Sequence, residues 1–172
     1  ALAILGLLPM ALQAVPDASG NVTSTAAPDI SADAAMSARL NYNIGYEQFE
    51  KAQAAEKQAS SLQGAKAKAA QEQALAGYAE ARAKMELAVK ADPNLKEGWN
   101  LVGYTSRRMG DYTQSLEAYE KALALDPKYP EAIEYRAEAY LALNRLEDAK
   151  TSYLALFAAA PAQAVVLLDS MK

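Results

Sequence analysis

Three glutamates, Glu131, Glu134 and Glu138, follow one another at spacings of three and four residues, which places their carboxylates on one face of a helix. Carboxylates held in that way could serve as general acid and base, or gather around a hard metal ion. Either chemistry needs further components. The chain has neither histidine nor cysteine, which removes the commonest proton carrier and metal ligand and the strongest nucleophile. No glycine-rich phosphate loop accompanies the glutamates. The sequence therefore predicts no enzyme, no cofactor and no bound metal, and a charged helix face remains to be explained in another way.

The elements that carry this face follow from composition. Hydrophobic residues make up 52% of the 172 residues, yet much of that is alanine, and Gly 8, Pro 7 and Phe 2 are low counts. Alanine is the best helix former, so the chain should be all helical. The length suits one domain with appendages. A formal net charge of -4 argues against nucleic acid or an anionic membrane surface as the main partner, since both demand a basic face.

Residues 1–15 (ALAILGLLPMALQAV) carry no charge and fall short of the roughly 20 residues of a membrane span. They have the character of the apolar part of a secretory signal, with Pro9 breaking the helix ahead of a cleavage point after the small residue Ala14. An uncleaved apolar anchor and a buried helix are the alternatives. Residues 16–33 are small and polar without a hydrophobic period, and predict a flexible linker. The reading is of an exported protein, placed in a bacterial periplasm or cell envelope, with folded structure from about Ala34.

Prolines mark a repeat. Asp92-Pro93, Asp126-Pro127 and Ala160-Pro161 are spaced 34 residues apart. In phase with them run the small residues Ala81, Ser115 and Ala149, each followed four residues later by Met85, Tyr119 or Tyr153. Trp99, Val102 and Gly103 sit where a small residue lets two helices approach, and Gly110-Asp111 marks the turn between them. These residues resemble the tetratricopeptide repeat family, whose unit is a helix-turn-helix of this length with Trp, Leu-Gly, Tyr, Ala, Phe and Pro at set positions. The unit 95–129 carries Trp99, Val102, Gly103, Ser115, Tyr119, Ala122 and Pro127, and departs from the pattern at Ser106. The unit 130–163 carries Ala137, Tyr140, Ala149, Tyr153 and Pro161, with Ile133 and Arg136 at the Trp and Leu places.

The first unit, 35–94, is enlarged. Its second helix is marked by Gly77-Tyr78, Ala81, Met85, Ala88 and Pro93, but Ile44-Gly45, the match to the Leu-Gly pair, lies 24 residues further upstream than in the other units. Antiparallel helices lengthen equally about a common turn. That puts the turn at residue 63, inside Ser60-Ser61-Leu62-Gln63-Gly64, and predicts two long helices over 35–59 and 65–91, facing each other through Ala52, Ala55, Ala59, Ala69, Ala70 and Ala74. The whole chain from 34 to 172 is then expected to be an all-α, tetratricopeptide-like right-handed superhelix of three helical hairpins, the first elongated, closed by a C-terminal capping helix at 164–172.

The resemblance implies a concave face lined by the first helix of each unit. Its rows are Arg39, Tyr42, Tyr46 and Phe49, then Glu97, Asn100, Tyr104, Arg107 and Arg108, then Glu131, Glu134, Glu138 and Leu141. Tyrosines offer apolar area with a polar end, and arginine or asparagine can address a peptide backbone or carboxylate. The chaperone-binding members of the family grip a terminal carboxylate with basic residues. Here Glu134 and Glu138 stand in the third unit, so a basic or apolar ligand is expected there. The function implied is an adaptor or scaffold binding a segment of another protein in this groove. A structural subunit of an envelope assembly is the alternative, with the long hairpin and the apolar run Val165-Val166-Leu167-Leu168 as contacts, the latter a possible route to a homo-oligomer.

Overall fold

The computed structural model describes residues 31–170 and comprises α1 (Ala32–Ser61), α2 (Gly64–Ala91), α3 (Lys96–Arg108), α4 (Tyr112–Leu125), α5 (Pro130–Ala142), α6 (Leu146–Ala159) and α7 (Pro161–Ser170). The apolar segment 1–15 and most of the linker 16–33 lie outside the described residues. The first helix opens at Ala32, two residues before the expected start, because Ser31 caps it: the Ser31 hydroxyl accepts the Ala34 N–H at 3.1 Å.

The fold is all helical and tetratricopeptide-like, with a long first hairpin. Helices α1 and α2 run for 30 and 28 residues, against 13 and 14 for α3 and α4. They meet along a seam of small side chains, with Ala38, Gly45, Ala52, Ala55 and Ala59 on one helix and Ala70, Ala74, Ala81 and Ala88 on the other buried. Ala69, expected in that seam, is exposed, since it lies one residue off the stripe set by Ala70 and Ala74. Leu62 and Gln63 connect the two helices, and Gly64 makes the reversal with φ 60°, a left-handed conformation that costs glycine nothing.

The 34-residue period is legible in backbone detail. Gly110 closes the α3–α4 turn at φ 81°, and Asn144 takes φ 56° at the matching place between α5 and α6. Asparagine is among the few non-glycine residues that visit this region routinely. In both turns the residue that follows sends its N–H back into the preceding helix, Asp111 to the Ser106 carbonyl and Arg145 to the Tyr140 carbonyl. Asp92 and Asp126 likewise accept the N–H two residues on, from Asn94 and Lys128, at 2.9 and 3.1 Å. Those Asx turns hold Pro93 and Pro127 outside the next helix. Ala160 has no side-chain acceptor, so α7 starts directly at Pro161, three residues ahead of the expected 164.

Successive helices pack on each other from α1 to α7, and α3, α5 and α7 also touch across the stack. Close approach inside the second hairpin depends on Gly103. A Cβ there would meet the Tyr119 ring at 2.5–2.9 Å, inside van der Waals contact. Tyr119 in turn is completely buried and joins Ala122 of its own helix to Ala132 and Ala139 of α5. The first two hairpins share a core of Phe49, Tyr78, Met85, Val89, Leu101 and Val102, while Ile133, Leu156, Ala164 and Leu167 close the last.

Candidate interaction groove

Helices α1, α3 and α5 form one wall of the stack, and the side chains expected to line it fall into distinct groups. Tyr42 and Tyr46 stack with ring centroids 6.0 Å apart, and Tyr46 is 40% exposed. Arg39 is exposed one turn before Tyr42. Tyr104 is the hinge of the wall: its ring meets Phe49 edge-on at 5.1 Å and Tyr135 at 5.0 Å, and its hydroxyl accepts from Gln53 at 3.3 Å. These contacts explain why helices with few backbone approaches still make one surface.

Two assignments need correction. Phe49 is buried, packed against Tyr78 and Tyr104, so it supports the wall from behind and offers no surface to a ligand. Arg108 points to the long hairpin, where it pairs with Glu56, and Glu56 also accepts a hydrogen bond from the buried Tyr78 hydroxyl at 2.8 Å. The extended α1, 30 residues against 13 for α3, supplies this carboxylate where a shorter helix would have ended.

Arg107 is equally committed. Its guanidinium reaches Glu138 at 2.7 Å and lies over the rings of Tyr104 and Tyr135 at 5.1 and 5.7 Å. Glu138 is therefore neutralised and cannot repel an acidic ligand as a free charge would. Lys96 holds Asp126 at 2.6 Å and sits 4.9 Å over the Tyr129 ring. Glu97, Glu131 and Glu134 remain part-exposed without an ion pair among the described residues; Glu134 has only a long contact of 3.5 Å from the Gln163 amide. Asn100, on the same face of α3 as Glu97 and Tyr104, is 4% exposed, and its Oδ1 has no hydrogen-bond partner.

Electrostatics reflect this crowding. Burial first, then the charge of Glu97, pushes the Tyr42 phenol up to about 12. Burial and then Tyr104 and Glu134 push Tyr135 up to about 12, and burial with Glu131 and Glu97 raises Tyr129 as well. These phenols stay protonated at neutral pH and keep their O–H donors. Burial, then Glu138 and Glu131, raises the Glu134 carboxyl above its ordinary value.

A carboxyl raised in the folded state destabilises the fold once ionised; the penalty is absent below the unfolded pKa and complete above the folded one. Glu134→Gln is thus expected to raise Tm at pH 7, and the gain should vanish near pH 4. Since the side chain is substantially solvated, the gain stays below about 1 kcal/mol. Thermal melts at the two pH values check it, and a gain that survives acidification would point to another cause.

Tyr129, Tyr135, Gln53 and Glu56 were not among the residues expected in the wall. Spacing alone would have found most of them: 42, 46, 49, 53 and 56 continue one stripe of α1, and 131, 135 and 138 continue one stripe of α5. Tyr129 is the residue before α5, invisible to a helix-face argument. On the opposite side, a cleft of about 340 Å³ between α2, α3 and α4 is floored by Val89, Val102, Trp99 and Ala118, with the Lys121 ammonium 4.1 Å over the indole.

A family model described as Tetratricopeptide repeat matches residues 107–168. The structure resembles the first TPR of Spaghetti (RPAP3) bound to the HSP90 peptide SRMEEVD, at 17% identity and TM-score 0.60, covering 83% of this chain and 96% of that one. It also resembles the Yersinia enterocolitica type III secretion translocator chaperone SycD, at 17% identity and TM-score 0.59 over 81% and 92% of the two chains. A chain of the CopN-Scc3 complex aligns at 18% identity and TM-score 0.60, over 87% and 83%. Structural likeness at identities this low shows the fold alone. Among curated proteins, no match is found.

Proposed function

We propose, from the tetratricopeptide repeat match over residues 107–168 and the fold, that this chain is a protein-binding adaptor which holds a segment of another polypeptide against the wall formed by α1, α3 and α5. The observation that carries the reading is the run of ring contacts from Tyr42 and Tyr46 through the buried Phe49 to Tyr104 and Tyr135, which ties three helices distant in sequence into one aromatic wall whose tyrosines are the part open to a ligand. Such a surface offers area with little side-chain entropy to lose. Two of the similar structures, a TPR bound to an HSP90 peptide and the CopN-Scc3 complex, contain a bound peptide or a second protein, which supports the class of partner.

Export to a periplasm or cell envelope belongs to the same proposal and rests on the apolar character of residues 1–15. A photo-crosslinking residue placed at Tyr46 in the native host should capture a partner protein, whereas the same residue at Glu120, exposed on α4, should not. Equal capture at the two positions would remove the groove reading.

The second reading, a structural subunit, is favoured by Leu154 and Phe157 on α6 and Val165 on α7, which are 59%, 53% and 56% exposed at one end of the stack. Sedimentation of the purified protein separates the two: an obligate oligomer broken up by Phe157→Glu supports the subunit, and a monomer supports the adaptor.

A further inference from the structure

The groove is rich in carboxylates and poor in unpaired cations. Each cation that α3 brings to it already holds a carboxylate: Lys96 has Asp126, Arg107 has Glu138 and Arg108 has Glu56. What remains is Glu97, Glu131 and Glu134, without ion pairs among the described residues, against Arg39 alone at the outer edge. The carboxylates do not stand as an isolated cluster. Glu131 lies one turn before Tyr135 and Glu97 two turns before Tyr104, and the Tyr104 ring meets Tyr135 at 5.0 Å and Phe49 at 5.1 Å, so the acids and the rings border one patch where α1, α3 and α5 converge. Beside them is the buried Asn100, whose Oδ1 has no donor. No group of three acidic side chains among the described residues is arranged to hold a metal ion, so a compact inorganic cation does not fit the spacing.

Resting on the groove reading above, we infer that the segment held there is basic and presents an arginine to Glu131, Glu134 and Glu97, with its guanidinium against the tyrosine rings. A guanidinium supplies five donors and no acceptor, matches a carboxylate with two parallel hydrogen bonds, and stacks on aromatic faces. An ammonium supplies charge without the planar stacking, so lysine is the weaker occupant. Acidic segments are disfavoured, because Arg107 and Arg108, which would receive them, already hold Glu138 and Glu56.

The probes are fluorescein-labelled peptides of repeated Leu-X-X-Leu, with X arginine, glutamine or glutamate, titrated by anisotropy against the full chain. The arginine peptide is expected to bind roughly ten times tighter than the glutamine peptide, with the glutamate peptide weakest and the arginine advantage shrinking as salt rises. Glu131→Gln combined with Glu134→Gln should abolish the arginine advantage and leave the glutamine peptide unchanged, with circular dichroism confirming that the variant is folded. Arginine and glutamine peptides of equal affinity, an advantage that survives the double variant, or no arginine binding up to about 1 mM would overturn the inference. Tyr42→Ser keeps the two claims apart: if it leaves every peptide's affinity intact, the groove reading fails, whereas weaker binding with no charge preference defeats only the basic specificity.

Discussion

Tyr119→Ala should lower the free energy of unfolding by about 3–5 kcal/mol, the range for removing a large aromatic side chain from a packed interior. Tyr119 has no solvent exposure, fills the space that the missing side chain of Gly103 leaves, and links the second hairpin to the third. Alanine would open a cavity where the ring now lies on Gly103, and α5, packed through Ala132 and Ala139 on the same ring, limits how far it can close. The phenol oxygen behaves differently from the ring. It lies close enough to Arg107 and Ser115 to feel both, but no donor or acceptor meets it in bonding geometry. Tyr119→Phe should therefore leave stability within about 1 kcal/mol of the parent or improve it, because an unpaired buried hydroxyl is itself a cost. Urea unfolding of both variants is the measurement. A phenylalanine variant as damaged as the alanine one would mean that the hydroxyl, and not the ring, is the contributor.

Arg107→Ala carries the second large expectation, a loss of about 2–4 kcal/mol. The side chain is only 11% exposed, and its removal strands Glu138, itself 30% exposed, in a wall that already holds Glu134. Exposed pairs contribute up to roughly 1 kcal/mol and breaking fully buried ones costs about 3–5, so a half-sheltered pair falls between. Lost packing against Tyr104 and Tyr135 adds to the electrostatic part. Replacing both partners, Arg107→Met with Glu138→Leu, should recover most of the loss, because neither charge then has to be kept out of water. A double-mutant cycle by chemical denaturation gives the coupling directly. Should the single variant cost less than about 1 kcal/mol, the pair is screened by solvent and the wall is softer than its distances suggest.

How far the sequence reached can be judged element by element. The hairpins were legible because glycine, proline and the small residues of close helix contacts recur with a fixed period, and backbone sterics give each of them one meaning. The turn at Leu62-Gln63 followed from symmetry about Gly45 and Ala81 together with a glycine able to adopt positive φ. Rows on a helix face were also legible, since 3.6 residues per turn fix which positions share a direction. Partner choice across helices was not. Whether Arg108 faces a ligand or Glu56, and whether Glu138 is free or held by Arg107, depends on distances between elements far apart in the chain. Phe49 failed for a related reason: aromatic residues at the edge of a stripe turn inward when a neighbour such as Tyr78 offers a buried contact.

The alanine seam of the first hairpin divides the molecule into two tiers of permanence. Beyond the Glu56–Arg108 contact the paired helices touch little except each other, through methyl groups such as Ala59 and Ala70 that each remove only a small apolar area from water. The outer turns can part and rejoin at a fraction of the energy needed to undo the tyrosine-filled stack below. The arm's reach is set by helix length, while the cost of opening its tip is set by the poverty of its core.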